Sequence, residues 1–353
     1  MLLSDFDFQL PEDLIAQEPL ADRAASRMLV VDRRLGTWQD RMFRDFPSYL
    51  GPSDCLVLND SRVFPSRLYG HREGGSGGQV EVFLTKPISD DGLTWTALVW
   101  PGRKMRTGER VIVSDELSID ILGRGEYGER TVRLHPAMEH QGLGARGQGP
   151  DLFEILDRAG HVPLPPYIRR PDAPSDRERY QTVFARERGS VAAPTAGLHF
   201  TPEILDAVRE RGAAIAYVTL HVGLGTFQPL RTEVIKEVKL HSESFVVPDL
   251  TVAAMDAAKR VVAVGTTAVR AIESADVALS TGGATQRETD LFISPGFHFR
   301  RTGAMLTNFH LPKSSLLVLA ASFAGRELIL EAYQHAIAEG YRFFSYGDCM
   351  LIL

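Results

Sequence analysis

The sequence predicts an α/β protein: an α/β main domain, barrel-like or a wound sheet, residues 1–61 and 151–353, with a small all-β domain, a closed barrel or a sandwich, residues 62–150, inserted into it. Three observations lead there. From residue 190 onward, short apolar runs rich in β-branched residues alternate with helical ones, the succession of a barrel or wound sheet. Between Val80 and Leu134 short strand-like runs follow one another with almost no helical periodicity. The length, 353 residues, also exceeds the roughly 250 to 300 that one hydrophobic core supports.

In chain order, Pro11-Glu12-Asp13-Leu14-Ile15 opens a short helix, Met28–Asp32 is a strand, and Asp54–Leu58 is another. Asn59-Asp60-Ser61-Arg62 follows as a turn whose side chains either close an Asx turn or bind a ligand. The inserted domain is read from Val80–Thr85, Thr94–Val99, Arg110–Val113, Ser118–Leu122 and Arg130–Leu134. Its Trp100–Arg110 loop carries Arg103, Lys104 and Arg106 beside an aromatic residue, either a solvated turn or a nucleic-acid contact. Gly142–Gly147 fits GxGxxG without a strand before it and reads as a linker; Gly74–Gly78 fits GxSxG by low complexity and lacks a strand-turn-helix elbow. Asp151–Ala159 is an amphipathic helix, and the proline-dense HVPLPPYIRR run displays Tyr167, Arg169 and Arg170 for stacking and phosphate contact, or simply crosses the surface.

Ser190–Glu243 is the segment on which a site is expected. Thr201-Pro202-Glu203 has a capping hydroxyl, a proline for the first helical position and an acid for the first turn, so a helix runs from there to about Arg211 and stops at Gly212. Ala213–Leu220 is a short apolar run that suits a strand buried on both faces, and it ends at His221-Val222-Gly223-Leu224-Gly225. Ligands of α/β folds bind beyond the carboxyl ends of strands. His199, His221 and His241 each lie beside Gly, Thr or Ser at a turn and are expected to converge on one pocket. Beyond them come a helix over Leu250–Lys259, a strand Val261–Gly265, a helix opened by Thr266-Thr267-Ala268-Val269-Arg270, strands over Leu291–Ser294 and Ala304–Phe309, helices from Pro312 and over Arg326–Glu339, and a last strand Phe343–Tyr346.

Composition narrows the function. With 39 basic and 45 acidic residues the net charge is −6, which argues against wholesale electrostatic binding of nucleic acid and leaves only local contact. Cys55 and Cys349 are the only cysteines, so neither a disulfide framework nor a cysteine metal site is expected. The start, MLLSDFDFQL, is acidic where a signal peptide is basic, and no apolar run is long enough for a bilayer, so no membrane partner and a cytoplasmic location are expected.

The blocks LIAQEPLADRAASRMLV, NDSRVFPSRL, HVPLPPYIRR, RYQTVFA, GSVAAPTAGLHFT, VTLHVGLGTF, HSE, VGTTAVR, TNFHLPKSSLL, FAGRE and YRFFSYGD resemble the S-adenosylmethionine:tRNA ribosyltransferase-isomerase family of queuosine biosynthesis across nearly the whole chain. Arg287-Glu288 departs from the family pattern, where Gly-Trp is expected, as does Cys349, where a small residue is. The resemblance implies a monomer with an α/β barrel-like domain and an inserted β-barrel. It implies a reaction that moves the ribosyl part of S-adenosylmethionine, used as co-substrate, onto the aminomethyl group of a 7-deazaguanine at the wobble position of tRNA, giving epoxyqueuosine and releasing adenine and methionine. No metal is expected.

That reaction needs a base for the 5′ methylene next to the sulfonium and an acid to assist departure of adenine. The expected catalytic groups are His221 and His241 with Glu243 as orienter, His199 and His310 as second candidates, and Asp348 as a carboxylate for the sulfonium or ribose. Thr195, Ala196 and Gly197, with Gly223, Gly225 and Thr226, are expected to line the nucleoside, because small residues let backbone approach a ligand. Thr266, Thr267 and Arg270 suit the methionine carboxylate, although capping alone explains the threonines; Lys313 suits a tRNA phosphate. Two other classes compete. Four imidazoles near strand ends would suit a zinc hydrolase, but their spacing matches no ligand motif, and a noncatalytic RNA-binding module is opposed by the acidic balance.

Overall fold

The computed structural model describes residues 1–74, 78–103, 105–125, 128–137, 152–223, 230, 232–278 (276–278 as backbone) and 287–353. They form two compact units: Met1–Arg62 with Pro165–Pro171 and Glu178–Leu353, and Val63–Leu164 with Asp172–Arg177.

The larger unit is built on a nine-stranded mixed sheet. Its strand order is Arg287–Thr289, Glu243–Val246, Ala214–Leu220, Asp54–Asn59, Arg260–Val264, Thr302–Asn308, Cys349–Ile352, Arg27–Asp32 and Thr37–Met42. The four strands from Ala214–Leu220 to Thr302–Asn308 run parallel. Asp54–Asn59 is buried at every position, as a strand covered on both faces must be. Alternation along the strands sorts side chains into two cores. Leu29, Val31, Cys55 and Val57 pack with the helices Gly265–Ala278, Ser315–Ala324 and Arg326–Ala338, while Met28, Val30, Leu56 and Leu58 pack with Phe43, Phe46, Phe200 and the helix Pro202–Glu210.

Local signals explain most of these elements. Thr201 caps its helix, its Oγ1 accepting from the Ile204 amide at 3.3 Å, and the helix gives way at Gly212, whose φ of +81° favours glycine. Ser314 caps the next apolar helix in the same way, accepting from the Leu317 amide at 3.2 Å. Ala214–Leu220 is fully buried only toward its end, where the sheet is covered. Two expected strands are corrected. Arg287–Thr289 is the strand and 291–294 is not; Phe343–Tyr346 is a turn, because Phe344 takes φ +70° and Gly347 packs against the carbonyls of Arg342 and Phe343, and the last described strand is Cys349–Ile352.

Residues 16–25 hold almost no regular structure, yet their carbonyls are satisfied from far along the chain. Arg170 donates to Gln17 O at 3.1 Å, Arg342 to Glu18 O, and Arg179 to Leu20 O and, at 3.0 Å, to Ala21 O. Guanidinium groups thus do for this segment what a sheet partner does elsewhere.

The smaller unit is a closed barrel of six antiparallel strands in the order Glu129–Pro136, Thr94–Trp100, Gln79–Pro87, Arg67–Arg72, Arg110–Ser114, Leu117–Arg124. Alternate residues such as Leu68, Val82, Trp95, Val111, Ile119 and Val132 fill it. The strand that sequence reading omits, Arg67–Arg72, contains Gly70, where a Cβ would come within 2.4 Å of Ile112 O, so glycine is required by the close pairing rather than by a turn. The helix Leu152–Ala159 lies in this unit, with Phe153 edge-on to Phe64 at 6.0 Å, so the unit extends past residue 150, where the sequence places the return. Gly142–Gly147 lies outside the described residues, as does the middle of Gly74–Gly78. Among the described residues no helix is long and apolar enough to cross a membrane.

Glu273 staples the larger unit. Its carboxylate, 1% exposed, accepts from the amides of Arg300 (2.9 Å), Arg301 (3.2 Å) and Thr302 (2.8 Å) and from the Thr302 hydroxyl (2.7 Å). Glu273→Ala leaves those donors buried without an acceptor and is expected to destabilise the unit by about 3 kcal/mol or more. A urea-unfolding midpoint unchanged from wild type would refute that role.

Candidate active site

The site is assembled around the carboxamide of Asn59, the last residue of the central strand. Its Oδ1 accepts from the amides of Leu220 (3.0 Å) and Ser61 (3.2 Å), and its Nδ2 donates to Leu220 O (3.0 Å) and Thr267 Oγ1 (3.1 Å). The Ser61 bond is the expected Asx turn. The other three bring the end of Ala214–Leu220 and the start of the Gly265–Ala278 helix to the level of Asn59.

Above these strand ends opens a cleft with about 850 Å³ of free space, part of it open to solvent. One wall is the Ala192–Ala196 segment with Val222; another is Gly265, Thr266 and Thr267; a third is Thr307–Leu311, and Tyr167, Tyr180, Phe344 and Ser345 complete it. Among its described lining residues there is no Asp, Glu, Lys or Arg. Position after a strand's carboxyl end is where α/β folds bind ligands.

Several lining groups are already held. Tyr167 donates or accepts with Ser345 Oγ at 2.7 Å, lies over Phe344 at 4.6 Å, and has its phenol pushed up to about 12 by burial. Phe344, left-handed in φ, is fixed by Asn308 Nδ2 donating to its carbonyl at 2.8 Å. The imidazole of His310 is 2.7 Å from Thr307 Oγ1, and burial lowers its pKa to about 3, so the ring is neutral near pH 7.

The expectation that His199, His221 and His241 share one hollow is not met by the described lining; the histidine among the residues that line the cleft is His310. His199 lies behind the wall, its Nε2 3.2 Å from Asn308 Oδ1 and its Nδ1 2.7 Å from Ser26 Oγ, with burial lowering its pKa to about 4. It lines a second, smaller hollow with Arg23 and Arg179, and Ser345 borders both. His221 packs on Gly189, where a Cβ would stand 3.0 Å from the ring; burial lowers its pKa and Glu187 opposes that shift. His241 is exposed.

Asp348 does not line the cleft. It is 2% exposed and accepts from the Arg27 and Arg342 amides, each at 2.8 Å, so its oxygens tie the chain together. Glu243 accepts from the Gly223 amide at 2.8 Å and pairs with Arg270, which also donates to Leu291 O at 3.0 Å, so the guanidinium expected for a carboxylate ligand already has one in the protein. Thr195, Ala196, Thr266 and Thr267 do line the cleft. Gly197 instead wedges between Thr182 and Phe184, each of which a Cβ would approach to 2.8 Å.

Gly225, Thr226 and Lys104 lie outside the described residues. Of the cations expected at nucleic acid, Arg169 pairs with Glu12 (2.9 Å), Arg170 with Glu18 (2.6 Å) and Lys313 with Asp7 (2.8 Å), whereas Arg103 and Arg106 are exposed on the barrel. Tyr167 belongs to the cleft rather than to a displayed surface. Thr307 and Ser345 escape the sequence reading, whereas Asn59 lies in the NDSR turn, for which that reading offers an Asx turn or ligand binding. No group of three or more His, Cys, Asp or Glu among the described residues is arranged to hold a metal ion.

A mixed α/β unit with a hydroxyl- and aromatic-lined cleft over parallel strand ends defines the chain as an α/β enzyme in architecture. A family model described as queuosine biosynthesis protein matches residues 3–352. A protein of Solibacter usitatus (strain Ellin6076) named S-adenosylmethionine:tRNA ribosyltransferase-isomerase is 59% identical over 368 residues, covering 100% of both chains. One of the same name from Syntrophotalea carbinolica is 50% identical, again over 100% of both. A crystal structure of S-adenosylmethionine tRNA ribosyltransferase from Thermotoga maritima is similar at a TM-score of 0.53 and 35% identity, over 99% of this chain and 100% of that one. The chain belongs to the queuosine biosynthesis protein family, and it is a transferase.

The buried rings make stability depend on pH. His199 and His310 have folded pKa values of about 4 and about 3 against 6.5 when free, so below pH 6.5 the unfolded chain takes up protons that the folded chain refuses. Stability therefore falls as pH falls through that window, by up to about 2 kcal/mol per ring at pH 5. The check is chemical denaturation at pH 7 and 5 with NMR of the imidazoles; a His310 ring that titrates near 6.5 in the folded protein would overturn the assignment.

Proposed function

We propose that this chain transfers and isomerises the ribosyl part of S-adenosylmethionine onto the aminomethyl group of 7-aminomethyl-7-deazaguanine at the wobble position of tRNA. The products are epoxyqueuosine-tRNA, adenine and methionine. The names borne by its relatives support the two substrates. The observation that carries the reading is the cleft itself: aromatic faces, hydroxyls and a neutral imidazole, with no fixed charge among its described lining residues.

A sulfonium nucleoside is a cation with a large apolar body. The rings of Tyr167 and Phe344 offer it π faces, worth ~0.5–2 kcal/mol where solvent is excluded. Small residues at Ala192–Ala196 and Gly265–Thr267 let backbone approach the sugar and purine. The methylene next to the sulfonium is acidified and gives up its proton, the glycosidic bond breaks as adenine leaves and gains one, the aminomethyl nitrogen bonds to the sugar and loses a proton, and the carbon–sulfur bond breaks to release methionine as the rearranged sugar closes to the epoxide. We assign the contact with the reacting nucleoside to His310, since a neutral ring accepts a hydrogen bond without opposing the sulfonium's charge. His199 acts on that region through Asn308, as a positioning residue. His221, next in sequence to the cleft residue Val222, is the second candidate for proton transfer.

Incubation with S-adenosylmethionine and tRNA carrying the aminomethyl precursor is expected to release adenine and to yield a nucleoside with the mass of epoxyqueuosine. Absence of both, or a methylated nucleoside instead, would refute the reading. His310→Ala is expected to fold normally and lose turnover by on the order of a hundredfold, while His241→Ala, at an exposed position, keeps it; the reverse order would move the chemistry to His241.

A further inference from the structure

We propose that one rim of the six-stranded barrel is a stacking platform for an unpaired base of the RNA substrate, formed by Trp100 with Arg103, Arg106 and Arg124. The proposal rests on the reading of the chain as a tRNA-modifying enzyme and adds where, on the smaller unit, the RNA is gripped.

Strand pairing places these residues at one end of the barrel. Thr94–Trp100 and Leu117–Arg124 end there, and Arg110–Ser114 and Glu129–Pro136 begin there. Trp100 is 70% exposed, the most exposed aromatic side chain among the described large apolar residues, whereas Trp95, five residues earlier on the same strand, is 2% exposed and fills the barrel. An indole in water at a strand end costs hydrophobic free energy that an apolar partner would recover.

Two points of the chain beyond Trp100 are held. Arg130, 7% exposed, donates to Gly102 O at 2.9 Å, and the amide of Gly108 donates to Ile121 O at 2.8 Å, so Gly102 and Gly108 are each tied to the barrel. On this frame Arg103, Arg106 and Arg124 are exposed. Among the described residues, nearby acids are partly spoken for: Glu109 pairs with Arg72, and Glu81, opposite Trp100, pairs with Arg67 at 3.4 Å, while Glu73 and Glu129 stand beside them.

In a chain of net charge −6, an exposed indole at the same barrel end as three exposed arginines is a local exception. Phosphate supplies the complementary charge and a base the complementary face. Small closed barrels with aromatic residues and cations bind single-stranded nucleic acid in this way, each stacked base weakening binding roughly five- to hundredfold when its aromatic partner is removed. An unpaired base rather than a duplex fits, because a single rigid indole needs a π face free of its neighbours.

The test titrates the full-length protein with precursor tRNA and with a short single-stranded oligoribonucleotide, following tryptophan emission. Wild type is expected to be quenched by both. Trp100→Ala is expected to lose that quenching, bind tRNA more weakly by about fivefold or more and raise KM for tRNA, with kcat and KM for S-adenosylmethionine unchanged; Trp100→Phe is expected to restore binding. Arg103→Gln and Arg106→Gln should each lower the slope of log K against log salt by about 1. Unchanged KM and quenching in Trp100→Ala would overturn the platform, as would concentration-dependent self-association lost in that variant while RNA binding stays intact. If wild type releases no adenine with tRNA, the enzymatic reading fails, while quenching by the oligoribonucleotide still decides the platform.

Discussion

The four bonds of one carboxamide set the level at which the larger unit's strands stop. Asn59 satisfies both polar groups of Leu220 and reaches Thr267, so the ends of two neighbouring strands and the start of a helix meet at one height. A cleft needs such a ledge. Were the strands to end at different heights, the small residues at 192–196 and 265–267 would not face one another across a common space. A carboxamide suits the position because it donates and accepts at once, which neither a carboxylate nor a hydroxyl does with the same reach.

Polarity in the cleft is arranged with little charge. Charged groups close by are paired within the protein: Glu243 with Arg270, Asp348 with backbone amides, Lys313 with Asp7. Hydroxyls, ring faces and a neutral imidazole remain. In a space partly screened from water, two unit charges a few ångströms apart interact by several kcal/mol, so a protonated histidine beside a sulfonium would be costly. Burial that holds His310 near pKa 3 removes that cost before any ligand arrives.

Much of the fold was legible because local signals and packing agree. Val261–Val264 reads as a buried strand and is one, with Gly265 already opening the next helix; Thr201-Pro202-Glu203 reads as a helix start and is one; five of the barrel's strands follow from short runs without helical periodicity. What escaped was decided by long-range contact. Arg67–Arg72 is broken by a glycine that exists for the sake of Ile112, Thr37–Met42 is polar because it lies at the sheet's edge, and Phe343–Tyr346 has the aromatic content of a strand but buries its rings through a turn. In the site, the small-residue runs around 195 and 266 were readable, since glycine, alanine and threonine near strand ends mark close approach. Which histidine turns inward was not. His199 and His310 carry the same side chain at similar burial, and only the position of Asn308 between one of them and the cleft tells them apart.

The place of Cys349–Ile352 between Thr302–Asn308 and Arg27–Asp32 has a consequence for synthesis. Met28 cannot meet its partner until residue 349 has left the ribosome, a wait on the order of tens of seconds. Throughout that interval one edge of Arg27–Asp32 offers bare amides and carbonyls to any neighbour, joined only near the end of the wait by the edge of Thr302–Asn308, so the nascent chain is exposed to mispairing along a seam that the finished sheet buries.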